Sequence, residues 1–221
     1  MATTPAPAGD LRYGVAELSR LADGDLDALW RDISTADEAR DALSDVLPSL
    51  IEVYGVAAAA LAADWYSEAR ERAAVRGAFS PVMANVKPQG GVSLAKWAVG
   101  PMYQAEPDIL RTRTIVRGGL QLRIADAARY TVAGSAVADP SAQGWQRAGD
   151  GDSCAFCLML ISRGVVYREA SADFASHDHC GCMAVPAWSG EPVPVKPYTP
   201  SARQITDADR ARVKAWIGER F

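Results

Sequence analysis

The stretch that decides the organisation of this chain is Cys154-Ala155-Phe156-Cys157, followed after 19 residues by His177-Asp178-His179-Cys180-Gly181-Cys182. All four cysteines and both histidines of the 221 residues lie within these 29 positions. Zinc takes four ligands in a tetrahedron, and structural sites often supply them as two short-spaced pairs that folding brings together. The pattern therefore predicts a small α+β module, at about residues 140–190, that is built around a Cys/His metal site.

This site has more candidate ligands than a tetrahedral metal ion has positions. Cys154 and Cys157 lie at i and i+3 where a predicted helix over 154–162 begins, so both thiols can face one point. The N-terminus of a helix also favours the thiolate form that binds metal. If Cys182 lies in a strand, it shares a face with Cys180, and all four cysteines can bind while the histidines stay free. We expect a structural Zn²⁺ whose four ligands come from the following set: Cys154, Cys157, His177, Cys180 and Cys182.

Other uses of the four thiols remain open from the sequence. They can be reduced core cysteines, or disulfides if the protein matures outside the cytoplasm. A thioredoxin-like redox pair is weaker, because no strand of a parallel sheet precedes Cys154. A catalytic zinc would need an open coordination position and a general base, and the sequence identifies neither. A structural zinc, or an equivalent cross-link, is favoured.

Upstream of the module, residues 10–136 have helical periodicity and predict a mainly α body. We expect one helix from Asp10 to a break at 23–25, and a short second helix over 26–33. A long helix over 36–76 follows, capped by Ser34 or Thr35 and either kinked or restarted at Pro48. A short helix capped by Ser93 and a helix over 108–130 complete the body. The pair Gly118-Gly119 in that last helix indicates a bend or close packing.

The remaining segments are short. Residues 1–9 read as a disordered leader, and 145–148, 165–167 and 182–186 read as strands. Residues 191–221 form a Pro-rich arm and a tail helix, which begins near Thr206 and has Val213, Trp216 and Ile217 on one face. No apolar run reaches the roughly 20 residues of a membrane span, and the N-terminus lacks the features of a secretion signal. We expect no membrane partner.

The net charge of −4 is unevenly distributed. Residues 1–76 carry 7 basic and 14 acidic groups, whereas residues 77–140 carry 7 basic and 4 acidic groups. The helix over 108–130 contains five arginines that can face DNA phosphates, an acidic protein surface or the chain's own acidic helices: Arg111, Arg113, Arg117, Arg123 and Arg129. Intramolecular or solvated charge is the favoured interpretation, and packaged DNA is a candidate partner.

The run from Asp152 to Tyr167 and the run from His177 to Pro186 together resemble the C-terminal motif of MuF-like phage minor head proteins. That motif has a Cys-x-x-Cys pair, a glycine and a short strand, then His-x-x-Cys-x-Cys and a proline. The chain is especially similar to the branch found in phages of actinobacteria. The likeness covers about 50 residues, and in it His177 is the family histidine.

The resemblance implies a minor capsid protein that takes part in head morphogenesis of a tailed phage. Such a protein is made in the bacterial cytoplasm, enters the virion in several copies, and contacts the portal or the major capsid protein. Members of this branch are often labelled capsid maturation proteases. A cysteine protease needs a free histidine as base, and both histidines here lie in the Cys/His stretch. The sequence leaves enzymatic activity open and favours a structural role.

Overall fold

A computed structural model describes residues 8–31, 33–149, 153–162, 164, 166–168, 174, 176–190, 192 and 206–218. The described part is mainly α, as predicted, with one small sheet. Its elements in chain order are α1 (Gly9–Leu29), α2 (Ala36–Arg72), α3 (Gly90–Ala98), α4 (Ile109–Ala138), β1 (Gly144–Ala148), α5 (Ala155–Ser162), β2 (Met183–Ala187) and α6 (Asp207–Gly218). A 3₁₀ turn over Gly100–Tyr103 joins α3 to α4.

The long helix α2 is the centre of the bundle and packs against α1, α3 and α4. It begins with the capping box that the sequence predicts. The Thr35 hydroxyl accepts a hydrogen bond from the Glu38 N–H, and the Glu38 carboxylate accepts one from the Thr35 N–H. Helix α2 contains Pro48 and does not stop there, so the predicted restart at this residue is wrong. The start of α3 packs closely here, since a Cβ on Gly91 would lie 2.7 Å from the Pro48 nitrogen.

Helix α2 is also long and apolar enough to cross a membrane by length and composition, a test that the core helix of a soluble protein passes as well. Its buried residues Leu43, Leu47 and Ile51 are at most 1% exposed and belong to the bundle core. Burying each such side chain stabilises the fold by about 1.5–3 kcal/mol. Packing within the bundle therefore accounts for the apolar character of this face of α2.

Helix α1 corrects the sequence prediction, because it runs through the expected break at 23–25 and ends at Leu29. Ala22 and Leu26, on either side of Gly24, are both fully buried. The free energy gained by burying these two side chains exceeds the cost of placing a glycine inside a helix, which is about 1 kcal/mol. Asp25 of the expected break also has a partner, since it accepts a 2.5 Å hydrogen bond from the Tyr54 hydroxyl.

Two other helix predictions differ from the structure. Helix α3 begins at Gly90 without a side-chain cap, so Ser93 lies inside the helix and does not cap it. Helix α4 begins after its cap Asp108, as expected, but continues to Ala138, because its last two turns bury Val132, Ala133 and Ala136.

The glycine pair in α4 confirms the expectation of close packing. A Cβ on Gly119 would overlap the Leu94 side chain of α3. A Cβ on Gly118 would lie 3.1 Å from the Asp178 Cβ and from the His179 Nε2. Gly119 therefore allows α3 to pack closely against α4, and Gly118 allows the same for the loop that carries the histidines.

The sheet confirms two predicted strands and places them beside α4. Strands β1 and β2 are antiparallel, with Arg147 opposite Ala184. Tyr167 extends the other side of β1 only as an isolated bridge to Trp145, and Val165 lies outside the described residues. The buried side chains of the bundle and the sheet form one continuous core.

Several predicted segments lie largely outside the described residues. These are residues 1–7 of the leader, the turn at 150–152, most of the Pro-rich arm, and the side chains of Val213, Trp216 and Ile217. The tail helix itself is confirmed as α6. The boundaries of the leader, body, module and arm remain predictions.

Candidate metal centre

The first pair of predicted ligands lies at the start of α5. Cys154 directly precedes the helix, and its carbonyl accepts the first helical hydrogen bond from the Leu158 N–H, at 2.9 Å. The Cys154 Sγ accepts a hydrogen bond from the Cys157 N–H, at 3.4 Å. Cys157 is 1% exposed and belongs to the core. The Cys-x-x-Cys spacing thus places one thiol at the helix cap and the other one turn inside.

His177 joins this pair in a tautomer that suits a metal ligand. Its Nε2 lies 3.0 Å from the Cys154 Sγ, and its Nδ1 lies 2.7 Å from the Asp178 carbonyl oxygen. A carbonyl can only accept a hydrogen bond, so Nδ1 carries the proton and Nε2 turns its lone pair toward the thiol. Metal-bound histidines are commonly oriented by such a bond from the other ring nitrogen.

The second pair of cysteines closes the site. The Sγ atoms of Cys180 and Cys157 are 3.6 Å apart. Two sulfurs bound to one tetrahedral zinc at about 2.3 Å would be about 3.8 Å apart. The Cys182 Sγ lies 3.5 Å from the Ser153 hydroxyl, and Cys182 is 1% exposed. The separation of the Cys157 and Cys180 sulfurs is therefore already close to that of a shared metal ion.

The five predicted ligands, which we call the Cys/His cluster, form two overlapping groups that share Cys157. Cys154, Cys157 and His177 are one group, and Cys157, Cys180 and Cys182 are the other. Within each group the ligand atoms lie within 4.8 Å of one another, so these residues could hold a metal ion. Strand β2 begins one residue after Cys182, so the argument from a shared strand face does not apply. If one tetrahedral ion bound Cys154, Cys157 and Cys180, its fourth ligand would be His177 or Cys182.

His179 is held away from the cluster. Its Nδ1 lies 2.9 Å from the Gln121 Oε1 on α4, and its backbone has a φ of 62°. This left-handed conformation is uncommon outside glycine and turns the chain sharply between the two histidines. The structure thus separates the two histidines as the family motif implies.

The protonation of the thiols shows a conflict that a cation would relieve. A hydrogen bond from Cys182 is the main reason that the pKa of Cys180 is lowered to about 4, and the nearby Arg129 also favours its thiolate. The thiolate of Cys180 in turn raises the pKa of Cys182, and burial raises that of Cys157 to about 11. Without a cation, only part of the cluster can carry negative charge. A bound divalent ion would stabilise several thiolates together.

Cys154 and His177 favour each other's charged forms. Burial opposes the Cys154 thiolate, but the Cys157 N–H and the His177 ring lower the pKa of Cys154 overall. The pKa of His177 is raised, first by its hydrogen bond to the Asp178 carbonyl and then by Cys154. A Cys–His pair with these shifts is compatible with metal binding, and also with a nucleophile and its base.

Arginines of the helical body hold the loop that carries the second cysteine pair. We call residues 180–182 the cysteine loop. Arg129 of α4 donates to the Cys182 carbonyl from Nε, at 2.9 Å, and to the Cys180 carbonyl from Nη2. Arg12 of α1 donates to the Gly181 carbonyl, at 2.9 Å. Three consecutive carbonyls are thus bound by two helices of the body, which fixes the loop relative to the bundle.

A third arginine lies directly beside the thiols. The Arg147 Nη1 is 3.8 Å from the Cys157 Sγ, and its guanidinium lies 3.8 Å from the centre of the Phe174 ring. Arg147 is only 6% exposed although its side chain is charged. Sequence reasoning missed Arg12 and Arg147. A charged residue inside the Trp145–Ala148 strand was the one signal that pointed to Arg147.

The five arginines predicted to contact nucleic acid do not share one exposed face. Arg113 and Arg117 both pair with Asp27 of α1, and Arg129 is 1% exposed under the cysteine loop. Arg123 is half-buried near Gly90, and Arg111 is exposed at the start of α4. At least three of the five neutralise groups of this chain, and a contact with DNA remains a prediction.

Comparison with known proteins gives a family and no closer relative. The model of the VG15 protein family matches residues 2–205, nearly the whole chain. No curated protein and no solved structure matches this chain. The match includes both the helical bundle and the Cys/His cluster. The chain therefore belongs to the VG15 family, a family of phage-related proteins.

Proposed function

We propose that this chain is a minor capsid protein of a tailed phage, similar to MuF-like head proteins, and that one structural zinc ion staples its C-terminal module. The observation that carries the proposal is that the five candidate ligands form two groups of three that share Cys157. Membership of a phage-related family and the resemblance of 152–186 to the MuF-like motif support the role in the head. The protein would act in the virion beside the portal or the major capsid protein, in several copies.

A zinc ion here would cross-link segments that are distant in the chain. Cys154 and Cys157 lie at the start of α5, whereas Cys180 and Cys182 lie in a loop that α1 and α4 bind through their arginines. Zinc bound to thiolates supplies binding energy that becomes folding energy when the unfolded chain has no site. The ion would therefore tie the module to the helical body, as suits a protein that must survive assembly and packaging.

Metal analysis combined with unfolding tests the zinc staple. The protein, purified without added metal, should contain one zinc per chain, and a strong chelator should lower its unfolding temperature. His177→Ala and Cys182→Ser, compared side by side, should identify the fourth ligand, since one of them should lose zinc and the other keep it. A metal-free protein with four reactive thiols would contradict the proposal.

The place in the virion needs a separate experiment. Mass spectrometry of purified particles should detect this chain in several copies, and cross-linking should join it to the portal or the major capsid protein. Its absence from particles would contradict the head assignment and leave the metal site untouched.

A second candidate is a capsid maturation protease, because the Cys154 Sγ and the His177 Nε2 are only 3.0 Å apart. In this reaction His177 would take the thiol proton and Cys154 would attack the peptide carbonyl. Zinc would bind Cys154 in either ligand set, so the two functions exclude each other at this site. Incubation with the major capsid protein should give no cleavage under our proposal. Cleavage that Cys154→Ser abolishes and Ser153→Ala preserves would establish the protease instead.

A further inference from the structure

A groove on the helical body, distinct from the Cys/His cluster, has the features of a peptide-binding site. It has a volume of about 530 Å³ and lies between the segment 82–87 and one stripe of α4, with Ile51 of α2 also lining it. The stripe consists of Arg123, Asp126, Ala127, Tyr130, Ala133 and Gly134. We call this cavity the 82–87 groove. None of its lining residues is a candidate metal ligand, so the inference does not depend on zinc.

The wall formed by residues 82–86 runs extended along α4. The Val82 N–H donates to the Ser135 hydroxyl and the Ala84 N–H donates to the Thr131 hydroxyl, both at 2.9 Å. Thr131 and Ser135 are one helical turn apart, a rise of about 6 Å. Two residues of an extended strand span about 6.6 Å, so two residues of the segment match one turn of α4, and the two chains run in opposite directions.

Alternate peptide groups of this segment are consequently turned away from α4. In an extended chain successive N–H groups point to opposite sides, so those of Met83 and Asn85 face away from the hydroxyls that bind residues 82 and 84. Within the described part of the chain, residues 82–86 make no backbone–backbone hydrogen bond. Val82 and Met83 are also 50% and 46% exposed. Such a segment can accept another extended chain as a neighbouring strand.

The charge of the groove indicates what the added chain carries. Arg123 is half-buried, and its one hydrogen bond within the described residues goes from Nη1 to the Gly119 carbonyl, at 2.8 Å. Burial lowers the pKa of Arg123, and Asp126 and Asp178 counter this only through attraction at longer range. Asp126 itself accepts hydrogen bonds from Arg129 and Ser176. Lys87 adds a second cation at the rim, so two cations outnumber Asp126, the one carboxylate among the lining residues.

We propose that the 82–87 groove binds an extended segment of a partner protein, which pairs with residues 82–86 as an added strand, packs apolar side chains against Ile51 and Val86, and places an acidic side chain on Arg123. The charge complementarity of Arg123 and Lys87 selects an acidic apolar segment over a basic one. The outward peptide groups of 83 and 85 select an extended chain over a helix.

Gly134 offers a way to block the groove without disturbing the bundle. A Cβ at this position meets no atom within 4 Å. Gly134→Ala should therefore fold normally, and its unfolding temperature should rise slightly because a glycine in a helix is replaced. Gly134→Phe should place its ring in the groove. The alanine variant is the matched control for the phenylalanine variant.

The test is to select peptides that bind the full chain from a random display library. The affinities of the selected peptides are then measured with synthetic copies. Peptides of about eight residues suffice, because the roughly 16 Å of α4 from Arg123 to Gly134 match about five extended residues. The selected peptides should combine apolar residues with an Asp or Glu, and changing that acid to its amide should weaken binding about tenfold or more. Arg123→Gln should weaken binding to the same extent, whereas Lys96→Gln, at an exposed position of α3, should not. Gly134→Phe should abolish binding, and Gly134→Ala should retain it.

Three outcomes would overturn the proposal. One is that no peptide is enriched, and another is that the selected peptides lack an acid or bind the Gly134→Phe variant as well as wild type. The third is that wild type is a dimer and Gly134→Phe a monomer, which would identify a second copy of this chain as the occupant.

Discussion

Replacing Arg129 by methionine should destabilise the whole chain and weaken the metal site together. Arg129 is 1% exposed and binds the Cys180 carbonyl, the Cys182 carbonyl and the Asp126 carboxylate. Methionine fills a similar volume but leaves these acceptors without their donor. Hydrogen bonds to charged groups contribute about 1.5–3 kcal/mol each, and removing one partner of a buried ion pair costs about 3–5 kcal/mol. Allowing for overlap between these terms, we expect a loss of about 3–5 kcal/mol.

Two substitutions calibrate this result. Arg129→Lys keeps the charge but cannot reproduce the planar array of donors, so it should lose about half as much. Arg111→Met, on the exposed first turn of the same helix, should change stability by less than about 0.5 kcal/mol. The assays are denaturant unfolding followed by circular dichroism, and zinc affinity by competition with a chelator.

The outcome also tests the coupling between the body and the cysteine loop. Because Arg129 positions both cysteines of the loop through their carbonyls, its loss should weaken zinc affinity by about 10–100-fold, as removal of metal-site supporting residues does. If Arg129→Met unfolds at the same denaturant concentration as wild type and binds zinc equally well, the reasoning is refuted.

Three further predictions concern the ligands, the packing and the pH dependence. Cys157→Ser should abolish stoichiometric zinc binding, because Cys157 belongs to both ligand groups, and metal analysis would show it. Gly119→Val should cost about 1–3 kcal/mol by overpacking Leu94, measured by thermal unfolding against the tolerated Gly134→Ala. Hydrogen bonding from Arg113 lowers the pKa of Asp27 from 3.8, so its contribution is present above pH about 4 and lost as the pH falls through the lowered value. The stability difference between wild type and Asp27→Asn should accordingly shrink between about pH 6 and pH 2.5, and a constant difference would contradict the ion pair.

Local signals in the sequence were read correctly where a short spacing carries the physics. The capping box of Thr35 and Glu38 and the Cys-x-x-Cys pair each span only four residues. The approach of the two half-sites was also predictable, because structural zinc sites often combine two short-spaced pairs of cysteine and histidine ligands. The pair Gly118-Gly119 indicated close packing, although the sequence did not identify Leu94 and the histidine loop as the neighbours.

The errors arose where distant contacts decide the outcome. Helix α1 passes through Gly24 because Ala22 and Leu26 are buried by other helices, which local propensity cannot register. The contact of Arg12 with Gly181 joins residues 169 positions apart, and no periodic pattern marks it. For the arginines of α4 the sequence favoured intramolecular or solvated charge, but it did not identify Asp27, the partner of Arg113 and Arg117, because Asp27 lies on another helix.

X-ray absorption at the zinc edge, on protein purified without added metal, tests the central claim most directly. The account predicts one zinc per chain with three or four sulfur ligands at about 2.3 Å, and one nitrogen at about 2.0–2.1 Å if His177 is the fourth ligand. A chain without zinc, or a zinc surrounded by oxygen and nitrogen ligands alone, would contradict it.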